Sequence, residues 1–223
     1  LDNQLRLEES QRAAEQKAQE LDELQAIGIA LSAEHDHERL LKLILSKARE
    51  ITNADAGSLF LVAGLDMPIE LPDGTLRRVG GRWLRFRLSQ NDSLEHRFEE
   101  DILEIGPDSI AGYVAQTSET LNLEDAYAPP ADKSFVINRS FDETTGYRTR
   151  SILAVPMENH ELENIGVLQL INKKKSRDMV LDSAESFEQN VLSFDEHDER
   201  LVASVETLEG EVIQEVDDFY ISP

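Results

Sequence analysis

A chain of 223 residues can build one sizeable hydrophobic core with an added helix, or two very small domains. It has no cysteine, which excludes disulfides, thiolate metal sites, cysteine nucleophiles and thioether-linked chromophores. Its 22 basic and 45 acidic residues leave a formal net charge of −23, a surface that repels nucleic-acid polymers and anionic lipid heads, although one small anion in a pocket is still compatible with it.

Apolar runs are all too short to span a bilayer, so no membrane insertion is expected. No charged-then-apolar leader opens the chain, whose first residue is Leu1, and the expectation is a cytoplasmic piece of a longer protein.

Residues 1–31 are rich in Glu, Gln, Ala and Leu, with only Gly28 as a breaker. Leu7, Ala14, Leu21 and Gly28 fall seven apart, Leu24 and Leu31 repeat the offset seam, and Ser10 and Lys17 interrupt it. This predicts an N-terminal helix, either a parallel coiled coil or an amphipathic helix packed on its own domain. Leu40, Leu41, Ile44, Leu45, Ala48 and Ile51 then form an apolar stripe behind Asp36, a candidate N-cap. Thr52-Asn-Ala-Asp55 reads as a polar break.

Ser58–Val62 and Trp83–Leu88 read as strands, the second with Arg85 and Arg87 alternating against Leu84, Phe86 and Leu88. Between them Pro72-Asp73-Gly74 marks the turn of an additional hairpin. A short helix is expected over Ile110–Thr117, a short strand at Leu121–Leu123, and a long polar connection over 126–146. Ile152–Val155 and Val167–Ile171 are β-rich runs suited to the centre of a sheet. A closing helix follows Phe194, with Leu201, Val205, Leu208 and Val212 at helical spacing. The order predicts an α+β sandwich: domain boundaries at 1–31 for the first helix, 32–216 for the main domain and 217–223 for a tail.

Four blocks give this order a family likeness. Ser109-Ile-Ala-Gly-Tyr-Val-Ala-Gln-Thr117, Leu121-Asn-Leu-Glu-Asp-Ala-Tyr127, Thr145-Gly-Tyr-Arg-Thr-Arg-Ser-Ile-Leu-Ala-Val-Pro156 and Gly166-Val-Leu-Gln-Leu-Ile-Asn-Lys173 resemble the GAF family. The branch is that of cyclic-nucleotide phosphodiesterases, some adenylate cyclases and many bacterial signalling proteins. A fifth block, Asn172, Lys173, Phe194, Asp198 and Glu199, matches the family's Asn-Lys, Phe-x-x-x-Asp-Glu signature. The resemblance covers roughly residues 34–210. It implies a six-stranded antiparallel sheet with helices on one face and a ligand pocket on the other, and a salt bridge between Lys173 and Asp198.

The resemblance also implies which residues touch a ligand. Ile110 and Ala111 would present backbone N–H groups to a phosphate at a helix start, where the helix dipole favours an anion. Gly112 would let a ligand or a neighbouring backbone approach closely. Ser58, Asp142, Thr145 and Thr149 match positions that supply hydroxyl or carboxylate contacts. Gln169 stands where a nucleotide-binding relative has Glu, keeping a hydrogen-bonding group without the charge. Ser89 opens a stretch, Ser89-Gln-Asn-Asp-Ser93, that departs from the base-reading strand end of the phosphodiesterases. It looks more like GAF domains upstream of bacterial output domains such as HD-GYP phosphohydrolases. A cyclic nucleotide, cAMP or cGMP, is the ligand implied, and no other cofactor is.

The segment from Pro129 to Gly146 reads as a lid. Its closure on a ligand would shift the first and last helices of a homodimer and pass a small rotation to a downstream effector. Catalytic constellations are not found: no Gly-x-Ser-x-Gly elbow, P-loop or His-Glu-x-x-His motif occurs. His35 and His37 would point to different helix faces, His160 reads as a turn residue and His197 as part of a solvated helix entrance, so no metal is expected. The readings are a ligand-sensing regulatory domain, a GAF fold kept only as a dimerisation scaffold, and an enzyme, against which the absence of any catalytic set counts.

Overall fold

Residues Asp2–Ala33 form one helix, α1. Its C-terminal turns carry Ile27 and Leu31, both buried, and Leu24, partly buried, in the core of the same chain. Leu24 and Leu31, two of the heptad-seam residues, are therefore used at least partly inside the domain, whereas Leu21 is 57% exposed. The computed structural model describes residues 2–34, 36–63, 68–70, 76–78, 83–94, 102–131, 133, 135–159 and 161–205. Leu208, Val212 and the tail boundary lie outside them, as do His35 and His160.

The Asp36 carboxylate accepts the Arg39 amide at 2.9 Å and caps α2 (His37–Thr52). Leu40, Leu41, Ile44, Leu45 and Ala48 face inward, each large aliphatic contributing roughly 1.5–3 kcal/mol by leaving water. Asn53 ends the helix in the left-handed region, φ 55°. The polar break is shorter than its composition suggests: Ala54 and Asp55 are buried and already belong to β1 (Ala54–Ala63).

β2 (Pro68–Glu70) and β3 (Leu76–Arg78) pair antiparallel as the additional hairpin, whose Pro72-Asp73-Gly74 turn is outside the described residues. β4 (Trp83–Asn91) and β5 (Ile102–Glu104) follow, then α3 (Ile110–Thr117), β6 (Leu121–Leu123), α4 (Ser140–Thr145), β7 (Ile152–Glu158) and β8 (Asn164–Lys174). Helix α4 lies within the stretch read as a polar connection. α5 (Ala184–Asn190) and β9 (Val191–Leu192) occupy the gap before Phe194, and residues 196–205 are helical (α6).

The main sheet runs β5-β4-β1-β8-β7-β6, antiparallel throughout, with β9 paired to the end of β8. This is the α+β fold with a six-stranded antiparallel sheet. On one face Leu59, Leu168 and Leu170 pack with α1, α2 and Val202 and Val205 of α6. On the other, Phe60, Phe86, Ala154 and Val167 pack under Ile110, Ala111 and Val114 of α3. The second face is thus also helix-covered, by α3. A third cluster joins Ala56 and Tyr147 to Leu181 and Phe187 from the α5 region. Among the described residues, no helix is long and apolar enough to cross a membrane.

Candidate functional site

Ser58 lies on β1, one of the two central strands, opposite Ser89 of β4 on one side and Gln169 of β8 on the other. Cross-strand partners share a face, so the three make one polar row, continued by Ala154 of β7 opposite Gln169. Residues two along β1 and β8, Phe60 and Val167, are buried under α3, which places the row on that face. A β-bulge puts Ser89 there. The register shifts between Leu59 and Phe60, which face Leu88 and Phe86, so Arg87 is the extra residue. The alternation expected for Trp83–Leu88 is reversed beyond it: Leu88 packs with the α2 face and Ser89 joins the row.

All three side chains are half-buried in the middle of the sheet, and none hydrogen-bonds to another described residue. Polar groups at a sheet centre that are reached by solvent and left without hydrogen bonds to the protein can contact a ligand.

Beside this row, Ser109 caps α3, its hydroxyl accepting the Gly112 amide at 2.9 Å. The Ile110 and Ala111 side chains are buried in the core, while their amides belong to the first turn, which has no intrahelical acceptors. Gly112 is needed for backbone approach: a Cβ there would stand 2.6 Å from the Glu104 carbonyl oxygen and 2.7 Å from that of Gly106.

The segment read as a lid packs against α3. Val136 N–H donates to the Pro107 carbonyl at 2.9 Å, Phe135 and Ile137 join the α3 cluster, and the Phe135 and Tyr113 ring centroids are 5.5 Å apart. Asp142 of α4 is buried and saturated. Its Oδ2 accepts the Thr149 amide and the Tyr127 hydroxyl, both at 2.6 Å, and its Oδ1 accepts the Thr149 hydroxyl at 2.8 Å. Burial, with the Asp142 carboxylate, pushes the Tyr127 phenol up to about 12. The Arg139 and Arg148 guanidinium carbons lie 4.1 and 3.8 Å from the Tyr127 ring centroid. Arg148 Nη2 also donates to both Asp125 carboxylate oxygens, at 2.7 and 3.0 Å. Burial raises Asp125, but the Tyr127 amide and Arg148 outweigh it and hold the carboxyl below its ordinary value. Thr145 turns its hydroxyl back to the Phe141 carbonyl at 2.8 Å. The structure therefore brings Asp142 and Thr149 together with each other.

A second constellation holds the closing helix. The Lys173 ammonium pairs with Asp198 and lies 3.0 Å from Asp195. Asp195 Oδ1 accepts the His197 and Asp198 amides at 2.8 and 3.1 Å, while Asp198 Oδ2 accepts the Asp195 amide at 2.8 Å. This reciprocal cap starts α6. Burial lowers Lys173, and its two carboxylate partners more than reverse that, leaving it above the ordinary lysine value. Asn172, fully buried at φ 57°, accepts the Arg150 amide at 2.8 Å and donates to the Arg148 carbonyl at 2.9 Å. Asn122 Nδ2 donates to Glu199 Oε1 at 2.7 Å and to the Phe194 carbonyl at 3.1 Å, and the Phe194 ring is buried in the α2-side core.

A family model for the GAF domain matches residues 36–205. The chain belongs to the GAF domain family. It is 35% identical over 131 residues to the dual 3',5'-cyclic-AMP and -GMP phosphodiesterase 11 of Drosophila melanogaster, covering 58% of this chain and 8% of that protein. It is 33% identical over 197 residues to the cGMP-specific 3',5'-cyclic phosphodiesterase of Drosophila virilis, covering 85% and 18%. The chain thus spans less than a fifth of the length of these relatives. Among solved structures, the GAF domain of an Acinetobacter phosphoenolpyruvate-protein phosphotransferase shares the fold at TM-score 0.57 and 17% identity, covering 90% of this chain and 96% of that one. Free methionine-R-sulfoxide reductase of Neisseria meningitidis does so at TM-score 0.58 and 16%, covering 88% and 89%.

In this GAF domain one polar cluster escaped the reading of the sequence. Asp55, fully buried in β1, accepts the Tyr147 hydroxyl at 2.8 Å and the Ser93 hydroxyl at 2.7 Å, and lies 3.3 Å from the buried Lys174 ammonium. Lys174 also reaches Asp92 at 3.0 Å, and Arg49 of α2 pairs with the other Asp92 oxygen. The signal available was a charged residue between Ala54 and Ala56, small residues that border a strand as readily as a turn. Among the described residues, no group of His, Cys, Asp and Glu is arranged to hold a metal ion.

Proposed function

We propose that this GAF domain is a regulatory sensor of a small ligand, a cyclic nucleotide first among the candidates, in a cytoplasmic signalling protein. The observation that carries the reading is the row Ser89, Ser58 and Gln169: three solvent-reachable polar side chains at the sheet centre with no partner among the described residues. Beside them the α3 start supplies amides for a negative group, and the row supplies neutral donors and acceptors for a heterocyclic edge. The names of the two phosphodiesterase relatives favour a cyclic nucleotide as the first probe. The resemblance at Ser89–Ser93 favours a bacterial protein with a downstream output domain.

In this reading the ligand remakes the lid's contacts, and α1 and α6 carry the change through a homodimer in which the outer part of α1 forms a coiled coil. Neither a nucleic-acid polymer nor a membrane is the partner. The test is thermal shift of the purified chain against cyclic AMP and cyclic GMP, because a ligand that binds only the native state stabilises it by RT ln(1 + [L]/Kd). A saturable rise supports the reading. Absence of any shift favours a second one, a dimerisation scaffold whose pocket is closed by its own side chains. Asp142, Thr145 and Thr149 favour that alternative, since their polar groups are already bonded within the lid. Catalysis by the chain's own thiols is excluded by the absence of cysteine.

A further inference from the structure

Tyr147 follows lid helix α4, and Arg49 sits on α2 across the sheet, yet both close on one residue, Asp55. Tyr147 donates its hydroxyl to the Asp55 carboxylate at 2.8 Å, and Arg49 Nη2 donates to the Asp55 carbonyl oxygen at 2.7 Å. Lys174 bridges Asp55 and Asp92 and also donates to the Met179 carbonyl at 2.9 Å. Ser93 hydroxyl donates to Asp55 and accepts the Leu181 amide at 2.7 Å. From Arg49 the connection continues along α2: Nη1 donates to Gln90 Oε1 at 3.1 Å, Ser46 donates to the same oxygen at 3.0 Å, and Gln90 Nε2 donates to the Lys42 carbonyl at 3.0 Å. Gln90 neighbours Ser89 of the binding row.

Two carboxylates and two cations balance within this network, and Lys174 and Asp55 have 1% and 0% of their side chains exposed. Neither Asp55 nor Lys174 can leave alone without stranding the other's buried charge, which couples the groups bonded to them. One donor is left over: Arg49 Nε is buried without a hydrogen-bond partner among the described residues. An unsatisfied donor on a buried guanidinium is costly, so any rearrangement that gave it an acceptor would be favoured.

We propose that this buried network is the element that transmits the position of the lid segment to helix α2, with Tyr147 as its lid-side residue and Arg49 as its helix-side residue. Its trigger rests on the ligand-sensing reading above, but the coupling between Tyr147 and Arg49 exists with or without ligand. The route differs from the Lys173 contact, which reaches α6 only.

Hydrogen exchange on the full chain, first without ligand, tests this. Tyr147→Phe keeps the ring that packs edge-on to Phe187 at 5.0 Å and removes only the hydroxyl. Amides of residues 43–52 should then exchange about threefold faster or more, while α6 is unchanged. By reciprocity Arg49→Lys should accelerate residues 140–150, which keeps the test open if one variant folds poorly. Changes confined to the neighbourhood of each substitution, or equal acceleration of α6, would overturn the proposal. Cyclic GMP then serves as probe: where it binds, its effect on α2 should vanish in Tyr147→Phe while binding persists. Where neither cyclic GMP nor cyclic AMP binds, the sensor reading fails, and the ligand-free comparison still decides the coupling.

Discussion

Lys173 and Lys174 are consecutive in β8 and hold opposite parts of the domain: Lys173 pairs with Asp198 at the start of α6, and Lys174 with Asp55 and Asp92 at the strand ends near the lid. Alternation along a strand sends neighbouring side chains to opposite faces, so one dipeptide fixes two elements.

Lys173→Ala should cost about 3 kcal/mol, because it leaves the Asp198 carboxylate, 3% exposed, with only the Asp195 amide. Asp198→Asn should cost less, about 1 kcal/mol, since an amide oxygen can still accept that N–H and Lys173 retains Asp195. Urea denaturation of both variants checks the order. Equal losses would mean that Asp195 carries the contact.

Acid should weaken the Asp92 contacts. Burial raises this carboxyl, but hydrogen bonds from Arg49 and Lys174 outweigh it and set its pKa below 3.8. A depressed folded pKa gives stability that is present above the unfolded value and lost as pH falls through the folded one. Wild-type stability should therefore decline below about pH 4 more steeply than that of Asp92→Asn. Parallel acid limbs in chemical denaturation would contradict this.

Alkali acts through Tyr127 and Tyr147, whose phenols are raised by burial first and then by their carboxylate partners. Raised folded values place their stability contribution below the unfolded pKa, near 10, and remove it as pH climbs toward about 12 for Tyr127. In a spectrophotometric titration, Tyr127→Phe and Tyr147→Phe should each delete a late-titrating phenol.

Gln169→Leu and Ser58→Val should leave the ligand-free melting temperature within about 2 °C of wild type, since neither side chain is bonded to another described residue. Each should weaken cyclic-nucleotide binding about five- to tenfold, the loss of one neutral hydrogen bond. Isothermal titration would show it, and unchanged affinity in both would remove the polar row from the site.

Truncation separates the packing role of α1 from its proposed coiled coil. Removing residues 1–20 should lower the dimer fraction in sedimentation and leave the fold intact. Leu31→Ala should instead destabilise the domain by about 2–5 kcal/mol, because that side chain is fully buried in the core. A monomeric full-length chain would end the coiled-coil proposal.

The α+β order, helix Ile110–Thr117, strand Leu121–Leu123 and the capped helix behind Asp36 were legible in the sequence, because caps, breakers and apolar periods act over a few residues. So were the family blocks, whose residues recur at set spacings. Local pattern could not place Ser89, which reaches the α3-covered face only through a bulge defined by pairing with β1. Nor could it show that Asp142 and Thr149 bond to each other, or that Leu31 packs inward instead of along a seam, since an apolar stripe does not name what will cover it. Asp55 is the clearest case: beside Asn53 it reads as a turn, and only Tyr147, Ser93 and Lys174, brought from 38 or more residues away, make a fully buried carboxylate tolerable in a strand.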